Sequence, residues 1–171
     1  NVTYQEFSQR IGILESMARG QRLRAALSRA VRIFAVSESF CELFRICGFP
    51  AETIANGVSR LPKTERKKDN TPRVRLLHLG GTQHHKGAYL IEAALKANQF
   101  SNLELKLIDM FRDYGDDDHT IWGNTPVTIA GKYSAEKVWD LYASADVVLA
   151  PSTWPESFGL VSREALASGC W

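Results

Sequence analysis

The sequence predicts an α/β fold, a Rossmann-like doubly wound parallel sheet, on three observations. Short apolar runs alternate with stretches of helical periodicity, the order expected of β-α-β units. Residues 73–79, 103–108, 127–130 and 146–150 are the strand candidates; residues 88–97, 134–142 and 158–169 are the helix candidates. The run Leu103-Glu-Leu-Lys-Leu-Ile108 is a clear strand, and Asp146-Val-Val-Leu-Ala150 is apolar enough to read as a buried parallel strand. Finally, glycine-bearing polar loops follow several strands, at the sheet edge where open α/β folds bind ligands.

Taken in order, residues 4–30 read as one or two helices. Phe7, Ile11, Leu14, Ala18, Leu23, Ala26, Leu27 and Ala30 fall at helical spacing, with Gly20 as the expected break. Arg19, Arg22, Arg29 and Arg32 project within about 140° of one another at roughly 100° per residue. Such a face suits peripheral contact with an anionic membrane; the plainer reading is a solvated helix face. Residues 32–36 form a short strand. Ser37 is then the N-cap of a helix over residues 38–47, closed by Gly48 and Pro50. Asn56-Gly57 is a turn, and residues 62–72 are a charged linker.

After the strand at residues 73–79 comes Gly80-Gly81-Thr82-Gln83-His84-His85-Lys86-Gly87. This is the phosphate-side loop of a Rossmann-like unit. It is neither a Walker A loop nor G-x-G-x-x-G, so a nucleoside triphosphate or dinucleotide cradle is not indicated. His84 and His85 are adjacent and lack a third metal ligand. The strand at 103–108 leads into residues 109–124, read as a long exposed loop. Its Asp116-Asp117-Asp118-His119 run is solvated rather than metal-binding, because it stands well after the strand end. The strand at 127–130 ends in Gly131-Lys132-Tyr133, and Ser134 is the expected cap of the next helix.

The last unit is strand, loop, helix. Pro151 and Pro155 shape the loop, and the helix starts near Phe158. Glu156 lies in the loop, and Glu164 eight residues later lies on the helix. The first helical amides, at Phe158, Gly159 and Leu160, lack intrahelical partners and favour an anion. Carboxylates accept well from sugar hydroxyls. Two carboxylates flanking a helix N-terminus suit a ligand with phosphate between two hydroxyl-bearing ends, as in a nucleotide-sugar.

The string Glu156-Ser157-Phe158-Gly159-Leu160 through Glu164-Ala-Leu-Ala-Ser-Gly169 resembles the E-x7-E motif of retaining GT-B glycosyltransferases of family 4, group 1. The Gly80-Gly81-x4-Lys86-Gly87 loop resembles that family's diphosphate loop, and Ile54-Ala-Asn-Gly-Val58 its interdomain hinge. The resemblance implies the donor half of a GT-B fold. Residues 1–55 would be helices, strand and hinge from the acceptor side; residues 56–171 would be the donor domain. Lys86 would bind the diphosphate, Glu156 and Ser157 the donor sugar, the Phe158, Gly159 and Leu160 amides the sugar and diphosphate, and Glu164 the ribose. Gly80 and Gly81 would line the phosphate, and Gly131 and Lys132 would lie near the base. Lys86 and Glu156 would carry the catalytic roles, with no metal and no cofactor; the nucleotide-sugar donor is a substrate. Many family members carry Arg where Gly81 stands. A nucleotide-sugar epimerase, or a non-catalytic nucleotide-sugar-binding module, is the alternative on the same scaffold.

Bulk properties agree with a globular domain. The chain has 171 residues, 44% hydrophobic and 23% charged, with a net charge of +2. That balance argues against a nucleic-acid partner. Three cysteines without a C-x-x-C pair point to free thiols and a cytoplasmic setting. The sequence starts within a helical pattern and stops just after a helix. We therefore expect a chain truncated at both ends, with an acceptor site supplied elsewhere and a tendency to self-associate.

Overall fold

The computed structural model describes residues 12–57 and 72–171. Tyr4, Phe7, Ile11, Val58 and most of the 62–72 linker lie outside the described residues. By their contacts, Asn1–Gly57 and Glu156–Gly159 form one unit, and Val58–Pro155 with Leu160–Trp171 a second.

In the first unit, α1 spans Ile13–Leu27 and runs unbroken through Gly20, against the expected break. An isolated glycine costs a helix only about 1 kcal/mol, too little to stop one flanked by good helix formers. Strands β1 (Phe34–Ala35) and β2 (Glu52–Thr53) pair in parallel around α2 (Glu38–Ile46). Ser37 caps α2 as expected, its hydroxyl accepting from Phe40 N at 3.2 Å. Ala35, Cys41 and Ala51 form the small core here. An apolar cavity of about 220 Å³ lies between α1 and α2, lined by Leu23, Leu27, Phe40, Leu43 and Phe44.

The second unit is built on a mixed, mainly parallel sheet. Its strands are β3 (Val74–His78), β4 (Leu103–Ile108), β5 (Asp118–Trp122), β6 (Thr125–Ala130) and β7 (Val147–Val148), in the order β5-β6-β4-β3-β7. Only β5 is antiparallel. Successive residues point to opposite faces, so Leu76, Leu105, Leu107 and Val127 pack under α3 (Ala88–Asn98). Leu77, Ile108 and Ala130 face the other way, against Tyr142 of α4 (Val138–Ala143) and Ala165 of α5 (Leu160–Ala167). Helices on both faces make the sheet doubly wound, as the apolar strand runs predict.

Three local expectations are corrected. Residues 109–124 are not all loop: β5 pairs with β6 through the two-residue Gly123-Asn124 turn. Its outer residues are polar or exposed and only Trp122 is buried, so an edge strand reads as a loop from sequence. Ser134 makes no side-chain cap bond; a 3-10 turn at Ala135–Lys137 precedes α4 instead. Strand β7 itself is only Val147–Val148, flanked by backbone bonds from Asp146 N to Arg75 O at 2.9 Å and from Leu149 N to Leu77 O at 2.8 Å. Trp171 continues the pairing on the outer side of β7, its N–H bonding Asp146 O at 3.0 Å and its carbonyl accepting from Val148 N at 2.7 Å.

Candidate functional site

The chain passes from β3 outward to β4 and β6, then returns to place β7 on the other side of β3. The strand order therefore reverses between β3 and β7. The crevice beyond the carboxyl ends of such a pair is where open α/β sheets bind ligands. The loops that meet there are residues 79–87 and 149–155.

Several contacts tie these two loops together. Thr153 N donates to the His85 carbonyl at 3.0 Å. The His85 and Trp154 rings meet edge to face with centroids 6.3 Å apart. Gly87 has φ +79°, and a Cβ there would come within 2.1 Å of Pro151 O. Only glycine permits both that backbone conformation and that approach. Lys86 is held in the 3-10 turn His84–Lys86, its N–H bonding Gln83 O at 3.0 Å.

Beneath the loop lies His78, which sequence reasoning missed. It is buried at the end of β3, and its Nδ1 is 2.9 Å from Leu149 O. A carbonyl can only accept, so Nδ1 carries the proton and Nε2 is the bare acceptor in the neutral ring. Nε2 is sealed from solvent and makes no well-formed hydrogen bond. A Cβ on Gly80 would stand 2.6 Å from it and 2.7 Å from the Lys86 Cβ, so Gly80 is small because the imidazole fills its underside. Burial above all, with a lesser contribution from the Lys86 charge, holds the imidazole below its ordinary pKa. The one available signal was a lone polar residue at the end of an apolar strand.

Asp109, at the end of β4, supports the loop from the other side. Its carboxylate accepts from Thr82 Oγ1 at 3.0 Å and from Phe111 N at 3.0 Å. The segment after β4 is also knitted to Gly131 and Lys132. A Cβ on Gly131 would stand 1.7 Å from Asp113 O, so this glycine is required by chain packing alone. Gly131 N donates to Asp117 Oδ1 at 3.3 Å, and Lys132 Nζ pairs with Asp113 Oδ1 at 2.8 Å. The Lys132 hydrogen bond and charge draw the Asp113 carboxyl below its ordinary value. Arg112 pairs with Asp118, and His119 Nδ1 is 3.2 Å from Thr128 Oγ1. Among the described residues no three His, Cys, Asp or Glu side chains are grouped to hold a metal ion.

Glu164 stands on α5, half-buried, with Oε2 accepting from the Tyr142 hydroxyl at 2.9 Å. Its charge is felt by Tyr133, next to Gly131 and Lys132, whose phenol is raised first by burial and then by Glu164. Tyr133 also packs against the cluster that holds Tyr142 and Ala165, which brings the loop after β6 to α5. Leu160 opens α5 in the same unit. Glu156, Ser157, Phe158 and Gly159 group by contacts with the first unit, where the Ser37 hydroxyl donates to the Ser157 carbonyl. Gly159 has φ +72° and nothing within 4 Å of its Cβ position.

Comparison with protein families matches residues 59–171 to the family described as Glycosyl transferases group 1. The chain belongs to the group 1 glycosyltransferases. That match takes in both loops of the crevice, the loop after β6 and Glu164. A comparison with curated proteins finds no match. A group 1 glycosyltransferase moves a sugar from a donor to an acceptor. Among the described residues, no helix of this glycosyltransferase is long and apolar enough to cross a membrane.

Proposed function

We propose that the chain carries the donor site of a transferase that uses a nucleoside-diphosphate sugar and retains the configuration of the transferred sugar. The observation that carries this reading is the anchoring of the Lys86 loop at the β3–β7 reversal, through Thr153 to His85 and Gly87 against Pro151. A loop held on two sides presents its cation without reorganisation when charge builds on the leaving diphosphate, which is how preorganised electrostatics lower a barrier. Lys86 supplies that charge, and the backbone of Gly80 and Gly81 lines the phosphate. The N–H groups of Phe158, Gly159 and Leu160 add neutral donors to the diphosphate and sugar. Glu156 and Ser157 orient the sugar, and Glu164 the ribose. Gly131 and Lys132 adjoin the base, a placement supported by the proximity of Glu164 to Tyr133.

The test is to incubate the chain with UDP-, GDP- and ADP-sugars and a broad acceptor set, and to follow products by proton NMR. A product with the donor's anomeric configuration supports the reading. An inverted product overturns retention. Epimerised donor formed without acceptor overturns transfer, and absence of binding to every nucleoside diphosphate overturns the donor site itself.

A further inference from the structure

We propose that Tyr142 is a positioning residue for the ribose, its hydroxyl fixing the rotamer of Glu164 so that the remaining carboxylate lone pairs face two vicinal hydroxyls. The inference rests on the ribose role proposed for Glu164.

Tyr142 is fully buried among Leu77, Ile108, Ala130, Ala145 and Ala165. Phenylalanine would fill that space equally well. The hydroxyl is there with one side-chain partner, Glu164 Oε2 at 2.9 Å, contributed by a helix 22 residues further on. The ring cannot swing to another partner. Trp139 packs against it with centroids 5.8 Å apart, and Cys170 Sγ donates to the Tyr142 carbonyl at 3.3 Å. Burial, then the bond to and charge of Glu164, push the phenol well above its ordinary pKa, so it stays a donor.

An ionised carboxylate offers about four lone-pair sites on two oxygens. Tyr142 occupies one on Oε2, which leaves Oε1 and the second Oε2 site as acceptors. A glutamate on a helix surface otherwise samples several rotamers, and ordering it on binding costs affinity. The buried hydroxyl settles that ordering during folding. Two acceptors side by side then match the adjacent 2′- and 3′-hydroxyls of a ribose. A sugar that lacks one of those hydroxyls leaves one acceptor unused.

Titration calorimetry on the 171-residue chain with UDP, GDP and ADP, each beside its 2′-deoxy counterpart, reads this directly. Wild type is expected to favour the ribonucleotide by about tenfold, the scale of one hydrogen bond to a charged group. Tyr142→Phe should bring that ratio close to unity while leaving the deoxynucleotide affinity within about twofold, since the 2′-hydroxyl that the positioned carboxylate would meet is absent there. A purely structural role would weaken both nucleotides together and leave the ratio unchanged. Glu164→Gln should lose the ratio as well, because the amide oxygen takes the Tyr142 bond and turns an N–H toward the hydroxyls. If Glu164→Gln keeps the ratio, the ribose role of Glu164 falls. If Glu164→Gln loses it and Tyr142→Phe keeps it, the positioning role of Tyr142 falls. Should Tyr142→Phe fail to fold, Glu164→Asp retracts the carboxylate from Tyr142 with its charge kept, and a preserved ratio in that variant overturns the proposal.

Discussion

His78 Nδ1 lies 2.9 Å from the Leu149 carbonyl, so a buried side chain joins the ends of β3 and β7 where the strand order reverses. The bond needs a proton on Nδ1, and the neutral ring supplies it. A second proton on Nε2 would be buried without a well-formed partner.

Stability should therefore fall as pH drops below the ordinary histidine value. In the unfolded chain the imidazole titrates near about 6.5. In the fold its value is lower, chiefly through burial. Between the two, the unfolded state binds more protons, so stability rises with pH in that window and is fully present above about pH 6.5. His78→Asn keeps an amide donor for Leu149 and removes the titration. Urea unfolding at about pH 5.5 and about pH 7.5 should show a smaller pH difference in the variant. An equal difference in both proteins would remove His78 as the cause.

Two glycines predict opposite outcomes for one substitution. Gly20 is inside α1 with nothing within 4 Å of its Cβ position. Gly20→Ala should stabilise by about 0.5–1 kcal/mol. Gly87→Ala must place a Cβ 2.1 Å from Pro151 O at φ +79°. The left-handed backbone alone costs about 1–2 kcal/mol, and displacing Pro151 adds to it. Thermal melts should move in opposite directions, and a tolerated Gly87→Ala would contradict the close approach of the two loops.

Much of this was legible in the sequence, and what escaped it has a common physical origin. The run Leu103-Glu-Leu-Lys-Leu-Ile108 marks its strand to the residue, because Leu103, Leu105 and Leu107 recur at the period of two that lines one face of a sheet. The loop at residues 80–87 was legible from its glycines, since a loop that turns at both ends writes them into the chain, here Gly81 and Gly87 at positive φ. Edge strand β5 was not, because only Trp122 needs to be buried. His78 and Tyr142 were not either. Their partners lie 71 and 22 residues away, and nothing local in a strand histidine or a core tyrosine announces them.

Arg75 and Asp146 form a bidentate pair, with Nη2 to Oδ1 at 3.0 Å and Nε to Oδ2 at 3.1 Å, and Asp146 Oδ2 also accepts from Arg75 N at 2.9 Å. The arginine side chain is 12% exposed. Asp146→Ala removes these three bonds and should cost about 3 kcal/mol, at the low end for a buried pair because Asp146 itself is partly open to water. Asp146→Asn keeps an acceptor for Arg75 N and should cost less. Denaturant midpoints measure both, and equal midpoints for wild type and Asp146→Ala would discard the pair as a support for β7.

The acidic segment after β4 bears on metal dependence. Asp113 pairs with Lys132, Asp118 with Arg112, and Asp117 accepts from Gly131 N. These carboxylates are committed to the chain's own cations and amides. EDTA is therefore expected to leave nucleoside-diphosphate affinity within about twofold, and Asp118→Ala to lower stability without changing affinity. A strict manganese requirement that disappears in Asp118→Ala would assign the segment to donor binding instead.

Lys86 bears the largest share of the proposed chemistry, because Gly81 stands where many relatives of the resembled family carry arginine. With that second cation missing from its place, the diphosphate depends more heavily on the lysine. Lys86→Ala should weaken UDP, GDP or ADP binding by about 1.5–3 kcal/mol, the range for a hydrogen bond to a charged group. Lys86→Arg should retain part of the affinity, since the charge stays while the compact ammonium geometry is lost. The loop itself should survive both changes. Its anchors are the Thr153–His85 backbone bond and the Gly87–Pro151 contact, neither of which uses the lysine ammonium. Calorimetric titrations at low and at physiological salt separate charge from shape, because screening weakens an exposed ion pair and leaves neutral donors unaffected. Wild type should lose affinity with salt more steeply than Lys86→Ala. Equal affinities and equal salt slopes would exclude Lys86 from the diphosphate site.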